Sequence, residues 1–537
     1  MHNRHYLQEA RQFTTDKQLL AMQSGRFKGE SMSVAITYSR AQIGIDAPLI
    51  TVEVDISPGL PQILIVGLPE TAVKESKDRV KAAITNSGFD MPSRRIIVNL
   101  APADLPKQGG RYDLAIALSI LAASNQIPID ALVEFELLGE MALNGSLRSI
   151  KGVLPAAIRN LSVGRQLIIP AVDNDEAALS NNKQVLCAMH LSDIVAHIKK
   201  RLCLLPARKV LVSPPLGPKL RLSDIRGQYL AKRALIIAAA GAHNLLFMGP
   251  PGTGKTMLAS RLSSLLPSMS TEESLEVASI QSISKHSFEV SSWGQRPFRM
   301  PHHTASGVAL VGGSSPPKPG EISLAHLGVL FLDELPEFSR QVLEVLREPL
   351  ESGKIVISRA SHQITYPAQF QLVSAMNPCP CGYYADDSDR CSCTHDRITK
   401  YRNKISGPLL DRIDLHVSVP ALPKGVLSDP AFLSSENEHD DACELVRQSQ
   451  NIMKKRSGKL NAHLNNREIQ VHCKLSKSDQ DLLDTAMFKL GLSARGYYKI
   501  LKLARTIADL SEEEDIDTPH LSEALSYRKL DRVIRHC

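Results

Sequence analysis

The stretch that most constrains this chain is Gly249-Pro250-Pro251-Gly252-Thr253-Gly254-Lys255-Thr256, a G-x-x-x-x-G-K-[ST] loop. Such a loop works only at the junction of a strand and a helix. The flanks supply that context: Asn244 to Met248 is a short apolar run of strand type, and Met257 to Leu266 has helical spacing. In that setting the backbone N–H groups of the glycine turn and of the helix N-terminus cradle phosphates, Lys255 neutralises terminal phosphate charge and the Thr256 hydroxyl ligates Mg²⁺. An ATP or GTP site on an αβα core is the first expectation.

At 537 residues the chain is too long for one core, and with 43% hydrophobic residues it is too apolar for disorder, so about three domains are expected. No apolar run approaches the roughly 20 residues a membrane helix needs, and residues 1–31 lack the apolar stretch of a secretory signal. A cytoplasmic protein without a membrane partner is expected. Residues 1–31 read as an extension, with Met32 a candidate natural start. Cys379, Cys381, Cys391 and Cys393 crowd into one short stretch, which in a reducing compartment favours metal binding or structural thiols over disulfides. A net charge of +7 permits a nucleic-acid partner without demanding one.

Residues 32–204 alternate strands (Leu49 to Ile56, Gln62 to Val66, Arg95 to Leu100) with helices (Glu70 to Ser87, Leu114 to Ala123), the pattern of a small α/β domain. Its stretch Ala101 to Asp113, with Pro106-Lys107 and Gly109-Gly110-Arg111, followed by Gly139-Glu140 and Lys151, resembles the ribosomal-S5-like fold of Lon-type protease domains. In that family a serine nucleophile is activated by a later lysine. Lys151 stands where the lysine belongs, but Arg111 stands where the serine belongs. A Ser-Lys mechanism without its nucleophile has nothing to attack a peptide carbonyl, so the resemblance implies a non-proteolytic Lon-like module.

The proline-rich residues 205–222 read as a semi-rigid linker to a core at 223–420. There Asp224 to Gln228 and the Ala-rich run Ala231 to Ala240 resemble the segment that lies over the adenine in AAA+ ATPases of the magnesium-chelatase group. Gly328 to Leu332 is an apolar strand ending in Asp333-Glu334, a Walker B pattern. Asp333 would hold the Mg²⁺ shell and Glu334 would act as general base on the attacking water; an ordinary acidic helix cap is the alternative. The strand Gln371 to Met376 ends at Asn377, the place of the sensor 1 residue that positions the lytic water in AAA+ proteins. Leu409 to Leu415 resembles the arginine-finger segment of this group. Arg412 would then reach a neighbouring subunit's γ-phosphate, which requires a ring; a surface salt bridge is the alternative.

Residues 421–537 read as a helical lid. Ser493 is a candidate N-cap, and Arg495 matches the sensor 2 arginine, which by resemblance contacts the nucleotide phosphates and couples hydrolysis to lid motion. Arg505, further along the same helix, would face DNA, a neighbouring subunit or, as most helix-surface charges do, solvent.

Two inserts decorate the core. The first contains Pro297 to Ser306 with His302-His303, then Glu321. Adjacent histidines diverge in most backbones, so a loop projecting into a ring's channel is favoured over a metal site. The second, Gly353 to Pro367, has two alternating strands and predicts a β-hairpin just before sensor 1. Such hairpins line the pore in this group, where Lys354, Arg359 and His362 would meet a phosphate backbone. The C-x-C…C-x-C cluster can close a tetrahedral Zn²⁺ site, with free structural thiols as the alternative.

Taken together, the Lon-like module, chelatase-like core with both inserts, cysteine cluster and helical lid are similar to the YifB/ComM family of competence-associated ATPases over residues 32 to 530. The resemblance implies ATP and Mg²⁺ as cofactors, a homo-hexamer, and single-stranded, forked or branched DNA as partner. It implies a helicase promoting branch migration during homologous recombination of transforming DNA, alongside other recombination proteins. The motor subunit of a metal-inserting chelatase is the competing expectation, weakened by the extra Lon-like module.

Overall fold

The computed structural model describes residues 34–208, 220–284, 289–313, 317–359, 362–384, 390–423, 435 and 437–528. The extension, Met32 and most of the acid-rich run before the lid lie outside the described residues.

The N-terminal domain is a mixed eight-stranded sheet. Its spatial order is Leu205–Pro206, Val185–Ala188, Gln166–Pro170, Phe135–Leu137, Ala35–Arg40, Leu49–Ser57, Arg95–Ala101 and Gln62–Val66. The period-2 burial of Leu49–Ser57 and Arg95–Ala101 is that of strands with one face on a core. That core is capped by the helix Asp113–Ala123, every residue of which is buried. Its alanines permit close approach to the sheet, and its Ser119 hydroxyl pairs with Thr37 Oγ1 at 2.7 Å. Leu205 and Pro206, the first residues of the proline-rich run, pair antiparallel with Cys187 and Leu186 as an edge strand, where a residue lacking an N–H is tolerated.

The second domain is a five-stranded, wholly parallel sheet ordered Phe298–Arg299, Val329–Leu332, Gln371–Met376, Leu245–Met248 and Leu415–Ser418. The three strands Leu245–Met248, Val329–Leu332 and Gln371–Met376 are buried throughout, which is why they read as continuous apolar runs instead of alternating ones. All strands run the same way, so the loops after Met248, Leu332 and Met376 collect at one edge, where ligands of open α/β sheets bind.

The C-terminal helices Glu438–Ser457, Asn466–His472, Lys477–Leu490, Ala494–Leu510 and Thr518–Ser526 follow. They share one continuous apolar core with the helix Tyr229–Gly241 and one face of the parallel sheet. Polar fasteners reinforce this packing: Gln450 Nε2 donates to Ala239 O at 2.9 Å, His243 Nε2 meets Thr506 Oγ1 at 2.8 Å, and Lys499 Nζ pairs with Asp414 Oδ1 at 2.7 Å.

The N-terminal domain sits on the end of the helix Thr271–Ser282 and on the hairpin of the core. Ser282 Oγ, at the end of the helix Thr271–Ser282, donates to Glu176 at 2.5 Å, and Lys151 Nζ donates to Ser284 O at 2.7 Å. Ile43 and Ile45 pack against the cluster that holds Ile364 and Tyr366 of the hairpin. No helix among the described residues is long and apolar enough to cross a membrane.

Candidate active site

The loops at the sheet edge bring the expected nucleotide residues together. The loop Gly249–Thr256 joins Leu245–Met248 to the helix Lys255–Leu265. Lys255 is 8% exposed, and its ammonium donates to Gly249 O at 2.8 Å, Pro250 O at 2.7 Å and Asn377 Oδ1 at 3.1 Å. Burial lowers its pKa from the ordinary lysine value against the opposing pull of Asp333 and Glu334. Thr256 Oγ1 donates to Asp333 Oδ2 at 2.8 Å, so a hydroxyl and a carboxylate, both hard oxygen donors, already stand side by side. That donor set suits Mg²⁺, which takes one or two protein oxygens and completes its octahedron with phosphate and water.

Glu334 is held in an unusual way. Its backbone has φ +52°, a left-handed conformation that costs a non-glycine residue on the order of 1–3 kcal/mol, and its N–H is accepted by Asp333 Oδ1 at 2.9 Å. Strain of that kind clusters at functional sites. The Glu334 carboxylate lies 3.1 Å from His303 Nδ1. His303 and His302 do not diverge as expected: their rings lie 4.2 Å apart, tilted by 32°, and His302 Nδ1 turns to Thr304 Oγ1 at 2.8 Å. Glu321 is taken by Arg299 through two contacts of 2.7 and 2.8 Å, so the His-His-Glu trio does not assemble. The first insert thus delivers His303 to the candidate base, a link that histidines placed just after a strand hint at but do not specify.

Arg412 and Arg495 are brought together elsewhere. Both guanidinium groups pair with Glu351 Oε1, Arg412 in a short contact and Arg495 at 3.3 Å. Arg412 is 8% exposed and also donates to Arg347 O at 3.2 Å and Pro408 O at 2.7 Å, so it is not an exposed surface pair. Nothing in local spacing singles out Glu351. Ser493 caps the lid helix as expected, its side chain accepting from Gly496 N at 3.3 Å. Arg505 contradicts the solvent expectation: it is 2% exposed, with Asp509 Oδ1 at 3.0 Å and the carbonyls of Glu513 and Glu514 as partners. An i,i+4 Arg–Asp spacing was the available signal.

The second insert forms the expected hairpin, Lys354–Arg359 paired antiparallel with His362–Pro367. Lys354 is exposed at its base; the side chains of Arg359 and His362 lie outside what the structure describes. In the N-terminal domain, Arg111 is buried and donates to the backbone carbonyls of Lys151 and Arg40.

The four clustered cysteines converge. Sγ separations are 3.3 Å for Cys379–Cys381, 3.8 Å for Cys379–Cys391 and 3.6 Å for Cys381–Cys391, and all four sulfurs, Cys393 included, lie within 4.8 Å of one another. Zn–S bonds of about 2.3 Å in a tetrahedron put sulfurs about 3.8 Å apart, so the set fits zinc. The Tyr383 backbone N–H, with the neighbouring thiols, holds Cys381 down at about 6, whereas Cys391 is pushed up to about 11 and Cys393 is pushed up too, so without a metal the thiolate character is concentrated on one sulfur of the cluster. This cluster touches the nucleotide loop: a Cβ on Gly382 would lie 2.6 Å from Pro251 Cδ and 3.8 Å from Asn377 Cγ.

Comparison with known proteins gives a consistent result. Residues 221–427 match the family model described as magnesium chelatase, subunit ChlI; residues 438–528 match the C-terminal model of that subunit; and residues 52–173 match a further model for subunit ChlI of Mg-chelatase. The chain is 51% identical over 508 residues to the competence protein ComM of Haemophilus influenzae, covering 94% of this chain and 99% of the relative. It is 49% identical over 506 residues to the uncharacterized protein YifB of Escherichia coli, with 94% and 99% covered. Similarity to the magnesium-chelatase 38 kDa subunit of Cereibacter sphaeroides is 28% over 173 residues, covering 29% of this chain and 52% of that subunit.

Proposed function

This chain belongs to the ComM/YifB family of magnesium-chelatase-like AAA+ proteins, and from that premise we propose that it is a cytoplasmic, ATP-hydrolysing ring motor that drives branch migration of DNA during recombination in competence. The observation that carries the motor reading is the division of the site. Lys255, Thr256, Asp333, Glu334 and Asn377 stand together in one place, whereas Arg412 and Arg495 stand together in another, sharing Glu351. Half a catalytic set at each of two places is what a ring of identical subunits completes at every interface, with the arginines reaching the next subunit's nucleotide.

In that arrangement the glycine-loop N–H groups and Lys255 bind the phosphates, and Thr256 and Asp333 hold the Mg²⁺ shell. Glu334, oriented by His303, takes a proton from the attacking water that Asn377 positions, and Arg412 with Arg495 stabilises the charge that develops on the γ-phosphate. Mg²⁺ held by Thr256 and Asp333 would supply positive charge against the negative charge of the phosphates. Cys379, Cys381, Cys391 and Cys393 would hold Zn²⁺, which would brace the loop that carries Gly382 beside Pro251. Lys354, Arg359 and His362 on the hairpin track a DNA backbone through the channel, contacts that position a strand without reading its sequence.

The test is ATP turnover and strand exchange on a defined forked or four-way DNA. DNA-stimulated hydrolysis with ATP-dependent branch migration is expected. The ChlI models favour one other reading, a chelatase motor subunit; turnover indifferent to DNA but raised by a tetrapyrrole chelatase partner would replace our proposal with it. Division of the site is tested separately. Subunits carrying Arg412→Ala should recover turnover when mixed with subunits carrying Glu334→Gln, and no recovery would mean that Arg412 serves its own subunit.

A further inference from the structure

We infer that Glu351 is a latch that restrains Arg412 and Arg495 and ties their release to the base of the hairpin. The inference rests on the reading above, in which both arginines act across a subunit interface. Three features of the structure carry it.

First, one carboxylate serves both guanidinium groups: Glu351 Oε1 is the shared partner of Arg412 and Arg495. A γ-phosphate is a competing partner for the same donors, with more charge and more acceptor oxygens, so the arginines exchange one anion for another. Second, this carboxylate can let go. Its side chain is 53% exposed, and a hydrated carboxylate that loses its partners pays little. Asp414, two residues past Arg412, is the contrast. It is only 10% exposed, bound to Lys499, and would be left as a buried unpaired charge. The finger segment is thus fixed at Asp414 and releasable at Glu351. Lys499 lies one turn after Arg495 on the lid helix, so its pairing with Asp414 also keeps the two arginines on one rigid block.

Third, Glu351 belongs to the last turn of the helix Arg347–Ser352, which runs directly into the hairpin. Gly353 makes the turn with φ +66°, a left-handed conformation that side chains other than glycine rarely adopt, and its N–H donates to Pro349 O at 2.9 Å. Ser352 Oγ accepts from Lys354 N at 3.2 Å and donates to Lys354 O at 2.9 Å, while Ala368 N donates to Gly353 O at 2.8 Å. Helix end and hairpin base are one hydrogen-bonded unit. Glu351, Gly353 and Lys354 line the same cleft as Arg412 and Arg495. A load on the hairpin is therefore felt at the carboxylate that holds the arginines, and exchange of that carboxylate for phosphate is felt at the hairpin.

The test compares full-length parent, Glu351→Gln, Glu351→Asp, Arg412→Ala and the double variant Glu351→Gln/Arg412→Ala, with kcat and KM for ATP measured without DNA and with forked DNA. Glu351→Gln keeps the shape of the side chain and removes its charge. Freeing buried Arg412 and exposed Arg495 from their shared, half-exposed carboxylate should raise DNA-free kcat about three- to tenfold, with KM for ATP held within about twofold. The DNA stimulation ratio should shrink by the same factor. Glu351→Asp, which keeps the charge, should return most of the restraint, and the rise should vanish in the Arg412→Ala background. The latch is overturned if Glu351→Gln leaves DNA-free kcat unchanged, lowers it as Arg412→Ala does, or raises it equally without Arg412. The finger reading fails with its own signature, parent-level turnover in Arg412→Ala, and takes the latch with it. Absence of DNA stimulation in the parent sinks the DNA reading alone, because the DNA-free comparison still decides the latch.

Discussion

Replacing Lys499 by Met should loosen the lid from the finger segment, and its size follows from what Asp414 would keep. Lys499 Nζ lies 2.7 Å from Asp414 Oδ1, with side chains only 18% and 10% exposed. Removing one partner of a buried ion pair costs about 3–5 kcal/mol, because the other charge is stranded away from water. Asp414 would retain the Asn244 N–H at 2.8 Å and His243 Nδ1 at 3.7 Å, which places the expected loss at the low end, about 3 kcal/mol. Hydrogen exchange reads this directly: amides of Ala494–Leu510 should exchange roughly a hundredfold faster. Asp414→Asn should match it, whereas Asp414→Asn with Lys499→Met removes both charges and should lie within about 1 kcal/mol of the parent. The pH dependence has a definite sign. Burial pushes the Asp414 carboxyl up, but Lys499 and His243 outweigh it and leave the group well below the usual carboxylate range. A depressed folded pKa means stability that is present above the unfolded value of about 4 and drains away as pH falls from there towards the folded value. The Asp414 variants should lose that acid-side dependence. Single variants that cost under about 1 kcal/mol, or single-variant costs that simply add in the double, would refute the buried-pair reasoning.

Further expectations concern the catalytic half-site. Glu334→Gln should abolish turnover while fluorescent-nucleotide binding and ring assembly persist, and loss of binding would remove its role as base. His303→Ala, which deprives Glu334 of its 3.1 Å partner, should lower kcat about tenfold with KM for ATP nearly unchanged; a rise in KM alone would mean that His303 serves binding instead. Protein purified without chelators should carry about one zinc per chain, and Cys391→Ser or metal stripping should weaken ATP binding through the Gly382–Pro251 contact. Well under one zinc per chain, or ATP affinity unaffected by stripping, would end that proposal.

What was legible in the sequence is what contiguous residues encode. The phosphate loop, Asp333-Glu334 after an apolar strand, and Asn377 at a strand end are each short motifs whose spacing ties them to one edge of a parallel sheet. The hairpin Lys354–Pro367 and the buried helix Asp113–Ala123 followed from period and composition in the same way. The convergence of Cys379, Cys381, Cys391 and Cys393 also has a local cause, since a short loop joins two tight pairs.

Other features depended on which distant segments meet. Arg505 carries the charge of a surface residue, yet the fold buries it because Asp509 and two carbonyls past the helix end satisfy its donors. Leu205 and Pro206 look like linker until an open sheet edge offers them a partner. His303 reaches Glu334, and Glu351 reaches two arginines, across separations that no local pattern spans. By itself, then, the sequence determined which residues gather at a strand edge as a candidate nucleotide site, because those interactions are local to motifs. Only the tertiary structure decided that the arginines stand apart from that site on a shared carboxylate, because ion pairing is settled by three-dimensional proximity and by how much water each charge keeps.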